Sequence, residues 1–426
     1  MQLQVDEYPV SSLDWGEEDK YINGKLIINK DNLLSYLRNS EEGRELEITH
    51  LELVKPDTST RVINVYDILP AYARIGDRVS NYPGFLEPFQ IVGHGNSATL
   101  SNFSILAIAS LPSRYNKVID KSGLGAKFSP YGSHFHIALR AEAKYSGMDS
   151  NDYYKCLKKI GLRLGTYLAK LAAKEKPPAT KSYNLDPHPT GLPKVVYVCM
   201  LAALQNWDKS EGILYGDNLA GMLPTILHPN EILDGAVIAP NFNLGIDTYS
   251  FQNNPVIQEL YKRHGKEIDF AGVVVSVSHV TRAQRERTVG MTANLVASVL
   301  GADMALITKV GGGIPESDVM LTIEALERIG VKTTAIMWAH LGDGTIRDIL
   351  TAYSPAADAL VSVGINDAWI NLPEQDVVIG GREIAPLSDD PNAKPQDASS
   401  AIKIRCREVC GAINQLGASY VALREI

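Results

Sequence analysis

The chain has 426 residues, of which 45% are hydrophobic and 21% charged, and its formal net charge is −8. These values are typical of a globular protein, and the length predicts two or three domains at roughly 100–200 residues each. The acidic balance excludes a basic surface for nucleic acids or membranes, and no apolar run reaches the roughly 18 residues of a membrane span.

The first residues, MQLQVDEYPV, have neither the basic nor the apolar region of a signal peptide. We therefore expect a cytoplasmic protein. Four cysteines are present, and their spacing does not match a metal site: Cys156, Cys199, Cys406 and Cys410. Buried thiols are the common outcome for such residues. The alternative is a regulatory pair, since Cys406 and Cys410 would share one face of a helix.

Residues 1–149 are predicted to form a strand-rich domain. Segments such as GKLIINK, ELEITHLELVKP and RVINVYDILP alternate or run apolar and end at turn residues. Few helical intervals separate them, which favours an antiparallel or barrel-like arrangement. Residues 150–192 are predicted to be a helix and a linker. Apolar residues recur every three or four positions from Ser150 to Lys174, and a segment rich in proline follows.

Residues 193–426 are predicted to form a Rossmann-like α/β domain with a parallel sheet. KVVYVCML, AGVVVSVS, ADMALITK, VKTTAIMW and ALVSVGI are apolar runs separated by amphipathic helices, a pattern typical of a parallel sheet covered on both faces. Ligands of such sheets gather at the carboxyl ends of the strands. We therefore expect the site among four loops, at residues 241–253, 279–287, 311–318 and 340–345.

The first of these loops lies in DGAVIAPNFNLGIDTYSFQNNP, which begins at Asp234. Residues 235–239 are predicted to be a strand that breaks at Pro240. A polar loop follows it. Asn241, at the start of that loop, is a candidate catalytic residue, because exposed loops at the ends of rigid strands commonly carry such side chains.

The segment SHFHIALR places His134 and His136 two residues apart, so that on a strand both imidazoles project from one face. His94, between two glycines in VGHGNS, is a candidate third ligand, with Glu142 and His340 as further candidates. Imidazole suits zinc, iron, copper and nickel, so the histidines predict a divalent metal site. The alternative is that the pair is solvated or hydrogen-bonded in an interface.

The Gly-rich turn GGGIPESD follows an apolar run and precedes a helical pattern. Backbone amides at such a helix start can bind an anion, which makes Gly312 and Gly313 candidate substrate-binding residues. The alternative is a tight turn in which Glu316 and Asp318 stabilise the helix start. The spacing matches neither a dinucleotide fingerprint nor a P-loop.

Two further pairs carry candidate roles. His340 and Asp343 are candidate catalytic residues, as a base and the carboxylate that orients it; the alternative is an Asp-Gly turn that caps the next helix. Glu286 and Arg287, in QRERT, are candidate substrate-binding residues, because arginine can hold a carboxylate through two hydrogen bonds. The alternative is an ion pair on a helix surface. No Gly-x-Ser-x-Gly elbow supports serine-nucleophile chemistry.

Several long blocks of sequence, taken together, point to one family. They are LELVKPDTSTRVINV, YPGFLEPFQIVGHGNS and VIDKSGLGAKFSPYG in the first half, and PTILHPNEILDGAVIAPN, NNPVIQELYKRHGKEIDF and GGGIPESDVMLTIEALERIGVKTT in the second. With these blocks the chain resembles the alpha subunit of component B of the glycine/sarcosine/betaine reductases. The resemblance covers nearly the whole chain.

The resemblance implies a defined chemistry for the loop after Ala239. In that family the alpha subunit is a proprotein that cuts itself next to a cysteine in this loop and leaves a pyruvoyl group. The pyruvoyl carbonyl forms a Schiff base with glycine or a similar amine, and a selenocysteine of a separate beta subunit takes the two-carbon fragment. The resemblance therefore implies a small amino or amide substrate and a beta-type partner in a hetero-oligomer.

The sequence departs from the family at the decisive position, because Phe242 stands where the family has its cysteine. A phenyl side chain cannot attack the preceding carbonyl. We therefore predict that no pyruvoyl group forms from residue 242, even though the surrounding blocks of the family are present.

Three hypotheses follow from the missing cysteine. In the first, His94, His134 and His136 make the same cleft a metal site for a hydrolase or lyase. In the second, the chain is a non-catalytic scaffold that pairs with a beta-like reductase subunit. In the third, Thr248 or Ser250 is an unusual precursor residue and the reductase reaction persists.

Overall fold

The computed structural model describes residues 1–76, 79–110, 117–186, 191–201, 212–219, 221–239, 246–278, 282–339, 352–384 and 394–419. Within these ranges the chain is a mixed α/β protein with several sheets that contain parallel pairs. The mixed α/β class is therefore confirmed, whereas the Rossmann-like arrangement of the second half stays a prediction. No helix in these ranges is long and apolar enough to cross a membrane.

The first half of the chain is rich in strands, as predicted. Its strands are β1 (Gln2–Pro9), β2 (Ser12–Trp15), β3 (Lys20–Ile22), β4 (Lys25–Ile28), β5 (Leu46–Val54), β6 (Thr60–Val62), β7 (Val65–Leu69), β8 (Tyr72–Ile75), β9 (Gly95–Ser101), β10 (Phe103–Ile108), β11 (Ile119–Asp120) and β12 (Phe135–Ala143). Short helices α1 (Lys30–Arg38), α2 (Glu41–Glu45) and α3 (Gly123–Phe128) interrupt them. Two sheets dominate, with strand orders β5-β12-β10-β7 and, with a later strand, β13-β1-β9-β8.

These sheets are not purely antiparallel. Strand β1 pairs with β9 in parallel, and β10 pairs with β12 in parallel, while the outer pairs are antiparallel. The long helix predicted from Ser150 is α4 (Ser150–Ala172), and Asp149 caps its start by accepting a hydrogen bond from the Asn151 amide. It packs on the strands so closely that a Cβ on Gly161 would lie 2.4 Å from Leu69, and one on Gly165 would lie 2.4 Å from the Pro70 carbonyl oxygen.

Part of the segment predicted as a linker is a strand. Strand β13 (Ala179–Asn184) pairs antiparallel with β1 and forms the edge of the first sheet. Its burial pattern is almost wholly exposed, with only Tyr183 buried. An edge strand with one apolar side chain gives little alternation, which explains why the sequence pattern does not reveal it.

The second half is built on a six-stranded sheet in the order β15-β16-β14-β17-β18-β19. Its members are β14 (Lys194–Leu201), β15 (Thr225–Leu227), β16 (Asp269–Val277), β17 (Met304–Lys309), β18 (Lys332–Ala339) and β19 (Leu360–Ile365). All pairs are parallel except that of the edge strand β15 with β16. The sequence predicts all five parallel strands, because residues buried on both faces form continuous apolar runs.

Helices cover both faces of this sheet. They are α5 (Pro229–Leu233), α6 (Thr248–Gln252), α7 (Pro255–Arg263), α8 (Arg282–Asn294), which a π-helical turn extends over Leu295–Val299, and α9 (Ile314–Arg328). Side chains of α5, α6 and α7 join one apolar core with Val195 and Tyr197 of the sheet, and those of α8 and α9 join another with Val196 and Val198. The helix predicted over residues 343–353 falls mostly outside the described residues.

The prediction of a strand over residues 235–239 is wrong. This segment makes single backbone hydrogen bonds to residues 213 and 215 and one isolated bridge, between Val237 and Leu214. The partner segment turns at Tyr215 and Gly216, which both have positive φ angles of 51° and 79°. A ladder cannot continue past such a turn, so the buried apolar run remains irregular.

The end of the chain returns to the first half. Strands β20 (Trp369–Leu372), β21 (Val377–Ile379), β22 (Glu383–Ile384), β23 (Gln396–Asp397) and β24 (Ile402–Arg405) follow the six-stranded sheet, and β21 pairs with β6. Arg61, with a fully buried side chain, forms an ion pair with Asp120 at 2.7 Å and donates to the carbonyls of Pro373, Ala398 and Ser400. This arginine fixes the last segment of the chain against the first sheets.

Candidate active site at the carboxyl edge of the sheet

The two described residues that flank residues 240–245 are buried on one face of the six-stranded sheet. Ala239 and Ile246 are buried in the same apolar core as Leu201 and Val277, which are the last residues of β14 and β16. In open α/β sheets the carboxyl edge is the usual place for a ligand. The buried groups next to Ala239 and Ile246 are therefore the candidate site.

A buried network of charges and hydroxyls binds both sides of this loop. The Lys158 ammonium, on α4, lies 3.3 Å from a carboxylate oxygen of Asp67 on β7, and it donates to the carbonyl oxygen of Ala239. The same carboxylate accepts hydrogen bonds from the Thr248 amide at 3.0 Å and the Thr248 hydroxyl at 2.7 Å. The Thr248 Oγ1 in turn accepts from the Ala239 amide at 3.1 Å. The residues before and after the loop are thus held by one ion pair.

A second carboxylate, that of Asp247, caps helix α6 and is fully buried. Its Oδ1 accepts hydrogen bonds from the Ser250 amide at 2.7 Å and from the Tyr131 hydroxyl at 2.8 Å. Its Oδ2 is buried with no hydrogen-bond partner in the described part of the chain. Burial, together with the nearby charge of Asp67, raises the pKa of Asp247 to about 7. A carboxyl group poised in this way can hold or release a proton at neutral pH.

The end of the chain joins this network to a third buried charge. The Asn414 side-chain amide donates to Ser250 Oγ at 2.8 Å, and the neighbouring Gln415 accepts from the Lys309 ammonium at 3.2 Å. Lys309 is the last residue of β17, and it forms an ion pair with Glu316 at 3.3 Å in which neither side chain is exposed. The returning segment therefore connects the loop network with the carboxyl end of the central strands.

Lys309 lies where the order of the sheet reverses. From β14 the chain moves outward to β16 and then crosses to β17 on the other side. The Lys309 ammonium also donates to the Gly311 carbonyl at 2.5 Å and lies 4.8 Å from the centre of the Trp338 ring. Burial lowers the pKa of Lys309 to about 8, and Glu316 opposes that effect. Titratable groups with shifted pKa values at such a switch point mark a candidate functional site.

A small cavity lies between the β13-β1-β9-β8 sheet and the end of helix α6, near this network. It is lined by nine residues: Val5, Glu7, Tyr72, Thr99, Tyr183, Leu233, Gln252, Asn253 and Gln258. Gln252 accepts a hydrogen bond from the Tyr82 hydroxyl, and its Nε2 is buried without a partner in the described residues. Glu7 contributes a carboxylate to the lining and is paired with Lys181 at 2.6 Å. The cavity is thus lined by carboxylate, amide and phenol groups.

The predicted metal ligands do not assemble into one group. His136 is fully buried, and both of its ring nitrogens have partners, with Nδ1 at 2.9 Å from Ser104 Oγ and Nε2 at 3.0 Å from the Tyr131 carbonyl. The His134 ring is centred 6.0 Å away. Its Nδ1 is buried with no partner in the described ranges, and burial together with the Lys121 charge lowers the pKa of His134 to about 4.

His94 is exposed in a bend just before β9, next to Gly93, whose amide is held by Asp234. No three His, Cys, Asp or Glu side chains form a metal-binding group among the described residues. The metal prediction is tested by elemental analysis of the purified protein. Near one equivalent of zinc, iron, copper or nickel that is lost in His134→Ala would support it.

Comparison with known proteins decides the family. The family model described as glycine/sarcosine/betaine reductase component B subunits matches residues 1–424. The chain belongs to this component B family. Its relatives include the glycine reductase complex component B subunits alpha and beta of Acetoanaerobium sticklandii, 29% identical over 98% of each chain.

Further relatives are the sarcosine reductase and betaine reductase complex component B subunit alpha proteins of Peptoclostridium acidaminophilum. These are 29% and 30% identical over 89% and 90% of this chain and 89% and 88% of their own. No solved structure matches the chain. The relatives are named as components of complexes, so membership of the component B family agrees with a subunit of a multi-subunit reductase.

The other predicted site residues of this component B member are placed as follows. Glu286 and Arg287 are exposed on α8, and Glu286 pairs with Arg282 at 2.8 Å on the helix surface. Gly313 is the residue before α9 and has a positive φ of 74°, as the tight turn requires. Gly312, next to it, is half-buried.

The remaining predicted residues lie outside the described ranges. They are the candidate catalytic residues Asn241, His340 and Asp343, together with Phe242. Their described neighbours Ala239 and Ala339 are both buried, and Ala339 ends β18 at the same edge of the sheet. The roles assigned to these four positions stay predictions.

Sequence reasoning missed the buried charges of this component B site. Asp67 and Lys158 lie in an apolar strand and on the apolar side of a helix, and Lys309 ends an apolar run. A lone charge inside an apolar pattern is the signal that would have found them, because an unpaired buried charge is costly and implies a partner. The sequence indicates the role of Asp247 less clearly, because an aspartate before a helix is an ordinary N-cap residue.

Proposed function

We propose that this chain is the component B-type subunit of a reductase complex for a small amino or amide compound, and that it works as an uncut polypeptide without a pyruvoyl group. Full-length membership of the component B family supports the complex. The observation that carries an active role is the buried network of Lys158, Asp67 and Asp247 around residues 240–245.

The residue at position 242 does not fit the family's precursor. Pyruvoyl formation needs a side-chain sulfur or oxygen that attacks the preceding carbonyl, and Phe242 has no heteroatom in its side chain. The proposed chemistry therefore depends on the carboxyl and ammonium groups of this chain, and none of its steps uses a pyruvoyl carbonyl.

The hydroxyl groups nearby are engaged in other contacts. Thr248 Oγ1 donates to Asp67 and accepts from the Ala239 amide, so both its proton and a lone pair are in use. Ser250 lies within α6, and its hydroxyl is held by Asn414 and Tyr131. A residue inside a regular helix is poorly placed to attack its own preceding carbonyl, whose plane is fixed by helix hydrogen bonds. These contacts disfavour an unusual precursor residue.

The same network disfavours a purely structural scaffold. Burying a charged pair costs desolvation energy that its mutual attraction only partly offsets, and well-packed apolar residues often give equal or greater stability. A chain kept only for its shape has no need of three buried carboxyl or ammonium groups at the carboxyl edge. Asp247, with its unpartnered Oδ2, is the group we assign to proton transfer during turnover of the amino compound.

Two measurements test this proposal. Intact-mass spectrometry of the purified protein should give one species at the mass of the whole chain, 46.5 kDa, with no label from an aminooxy reagent that captures carbonyl groups. Calorimetric titration with glycine, sarcosine and betaine should show binding of at least one, and Asp247→Asn should weaken it. Asp149→Asn, which changes an exposed helix cap, is the matched control.

Each other outcome selects a different function. Two fragments, one of them labelled by the aminooxy reagent, would establish the reductase chemistry with another precursor residue. If the chain is uncut and binds none of the three compounds, alone or with a beta-type subunit, the result would support the function of a non-catalytic scaffold. Binding that Asp247→Asn leaves unchanged would remove the proton-transfer assignment.

A further inference from the structure

A second polar cluster lies at the same edge of the sheet but on the opposite face, next to α8 and α9. Ser276 on β16 points to α8, because its hydroxyl lies 2.9 Å from that of Thr292. Ser278 directly follows β16 and is two residues from Ser276, so its side chain is on the same face of the sheet. Lys309 is two residues from Ile307, which packs in the core under α8 and α9, so Lys309 is on this face too. This face is distinct from the one that holds Asp247.

Two hydroxyls in this cluster have no partner. Ser278 Oγ and Thr288 Oγ1 are buried without a hydrogen bond in the described part of the chain, and the two residues are 1% and 3% exposed. Buried hydroxyls normally find a partner, and each exception needs a cause. Two exceptions on adjacent elements point to something that the protein itself does not supply.

The register of the fold places these two hydroxyls beside each other. Starting from the bonded pair of Ser276 and Thr292, Ser278 lies two residues farther towards the carboxyl edge, which is about 7 Å along a strand. Thr288 lies one turn nearer the start of α8, which is about 6 Å along the helix in the same direction, since α8 runs back across the sheet. Both displacements end at the carboxyl edge.

Positive charge borders this position. Met200 lies on β14, between β16 and β17, and it is paired with Ser276 on β16 and with Lys309 on β17. Lys309 is therefore two strand spacings, or about 10 Å, across the sheet from Ser276. Arg285, about one turn before Thr288, forms an ion pair with Asp318 of α9. The cations are thus on two sides of the two hydroxyls.

The start of α9 follows Lys309 at this edge of the sheet. Pro315 has no amide hydrogen, and the amides of Glu316 and Ser317 donate to the Gly313 carbonyl, so the helix start contributes its dipole rather than a row of free amides. Helix α9 has 15 residues, and Gly313 before it provides no side-chain cap. No atom lies within 4 Å of the position that a Cβ on Gly313 would take, among the residues that the structure describes. The positive end of the helix dipole therefore faces open space near Lys309.

We infer that the carboxyl edge beneath α8 and α9 is a binding site for a small oxyanion, a carboxylate or a phosphate, held by the hydroxyls of Ser278 and Thr288. The donors at this position are the two hydroxyls, which are buried without a partner in the described residues. Lys309 and Arg285 neutralise the buried carboxylates of Glu316 and Asp318, so no uncompensated negative charge of these groups opposes an anion at this position. The site goes beyond the proposed function, because its two hydroxyl ligands lie on the other face of the sheet from Asp247 and only the neighbouring Lys309 is shared with the network described above.

Thermal unfolding of the purified protein tests this site with simple ions. Sodium acetate or potassium phosphate should raise the unfolding midpoint with increasing concentration, relative to sodium chloride at equal ionic strength, because a ligand that binds only the folded state stabilises it. A response to acetate assigns a carboxylate ligand, and a response to phosphate assigns a phosphate. No response to either ion would overturn the inference.

The chain supplies matched variants for this experiment. Ser278→Ala and Thr288→Val remove the unpartnered hydroxyls, and each should weaken ion binding about tenfold while leaving the protein folded. Ser276→Ala and Thr292→Val remove hydroxyls that bond each other, so they should lower the midpoint without changing the ion response. An ion response that survives in Ser278→Ala/Thr288→Val would place the ion elsewhere and refute the assignment. Because Asp247→Asn should leave this response intact, failure here is distinguishable from failure of the proposed function.

Discussion

Replacing Lys158 by methionine is expected to lower the free energy of unfolding by roughly 3–5 kcal/mol, which is the usual cost of breaking a buried ion pair from one side. The side chain is 7% exposed and its partner Asp67 is fully buried. Methionine keeps most of the volume, so the loss comes from the uncompensated carboxylate and the freed Ala239 carbonyl rather than from a cavity. Urea unfolding followed by circular dichroism measures the change.

The neighbouring Lys159 provides the control. It is half-buried, and its ammonium lies 5.9 Å from the Phe85 ring without contacting a carboxylate in the described chain. Lys159→Met should therefore change the stability by less than about 1 kcal/mol. The double variant Lys158→Met/Asp67→Asn should recover part of the loss, because it leaves no buried charge. Equal effects of the two lysine variants would contradict the assignment of this ion pair.

The parts of the fold that the sequence predicts are those with local causes. The central strands β14 and β16 are buried on both faces, so their residues form continuous apolar runs. The parallel strands nearer the edge, β17, β18 and β19, keep apolar runs although some of their residues are half-buried or exposed. Helix α4 shows the helical period because one side packs on the sheets of the first half. Strand β13 is missed because it lies at an edge, and residues 235–239 are misassigned because burial alone makes an irregular segment apolar. Both errors arise where the tertiary environment, not the local pattern, decides the backbone.

The site is harder to predict because its partners are distant in the chain. Thr248 is 181 positions from Asp67, and Gln415 is 106 positions from Lys309. Neither residue of such a pair is unusual by itself. The opposite holds for the histidines. The spacing of His134 and His136 makes them candidate metal ligands in the sequence, but in the structure both ring nitrogens of His136 form internal hydrogen bonds. Only the fold tells a satisfied imidazole from a ligand.

The location of the candidate site follows from a rule of topology. The rule that ligands bind at the carboxyl ends of parallel strands selects four loops, and the described ends of these loops lie at one edge of the sheet. The buried charges Lys158, Lys309 and Asp247 converge on that edge from α4, β17 and α6. Topology therefore predicts the position of the candidate site in the sheet. Its chemistry also depends on side chains from the first half of the chain and from its last segment.

The contribution of Asp247 to the stability of the protein is expected to fall as the pH rises from about 4 to about 7, and Asp247→Asn should remove this contribution. The buried and half-buried histidines, whose pKa values are lowered, act in the opposite direction, so the variant is compared with the wild type at each pH. The pKa of Asp247 is raised from 3.8 to about 7 in the folded state. Between these values the folded chain holds a proton that the unfolded chain has lost, so raising the pH favours unfolding until both states are ionised. Asparagine stays neutral throughout and is an equally good helix cap.

Urea unfolding at a series of pH values, for the wild type and both cap variants, measures this dependence. The difference in stability between Asp247→Asn and the wild type should move in favour of the variant by about 1.4 kcal/mol for each pH unit within the window. Asp149→Asn is the control, because it makes the same change at an exposed helix cap. If the difference between Asp247→Asn and the wild type does not change with pH, the pKa of Asp247 is not raised in the folded state. The group that holds a proton at neutral pH beside residues 240–245 would then have to be sought elsewhere in the network.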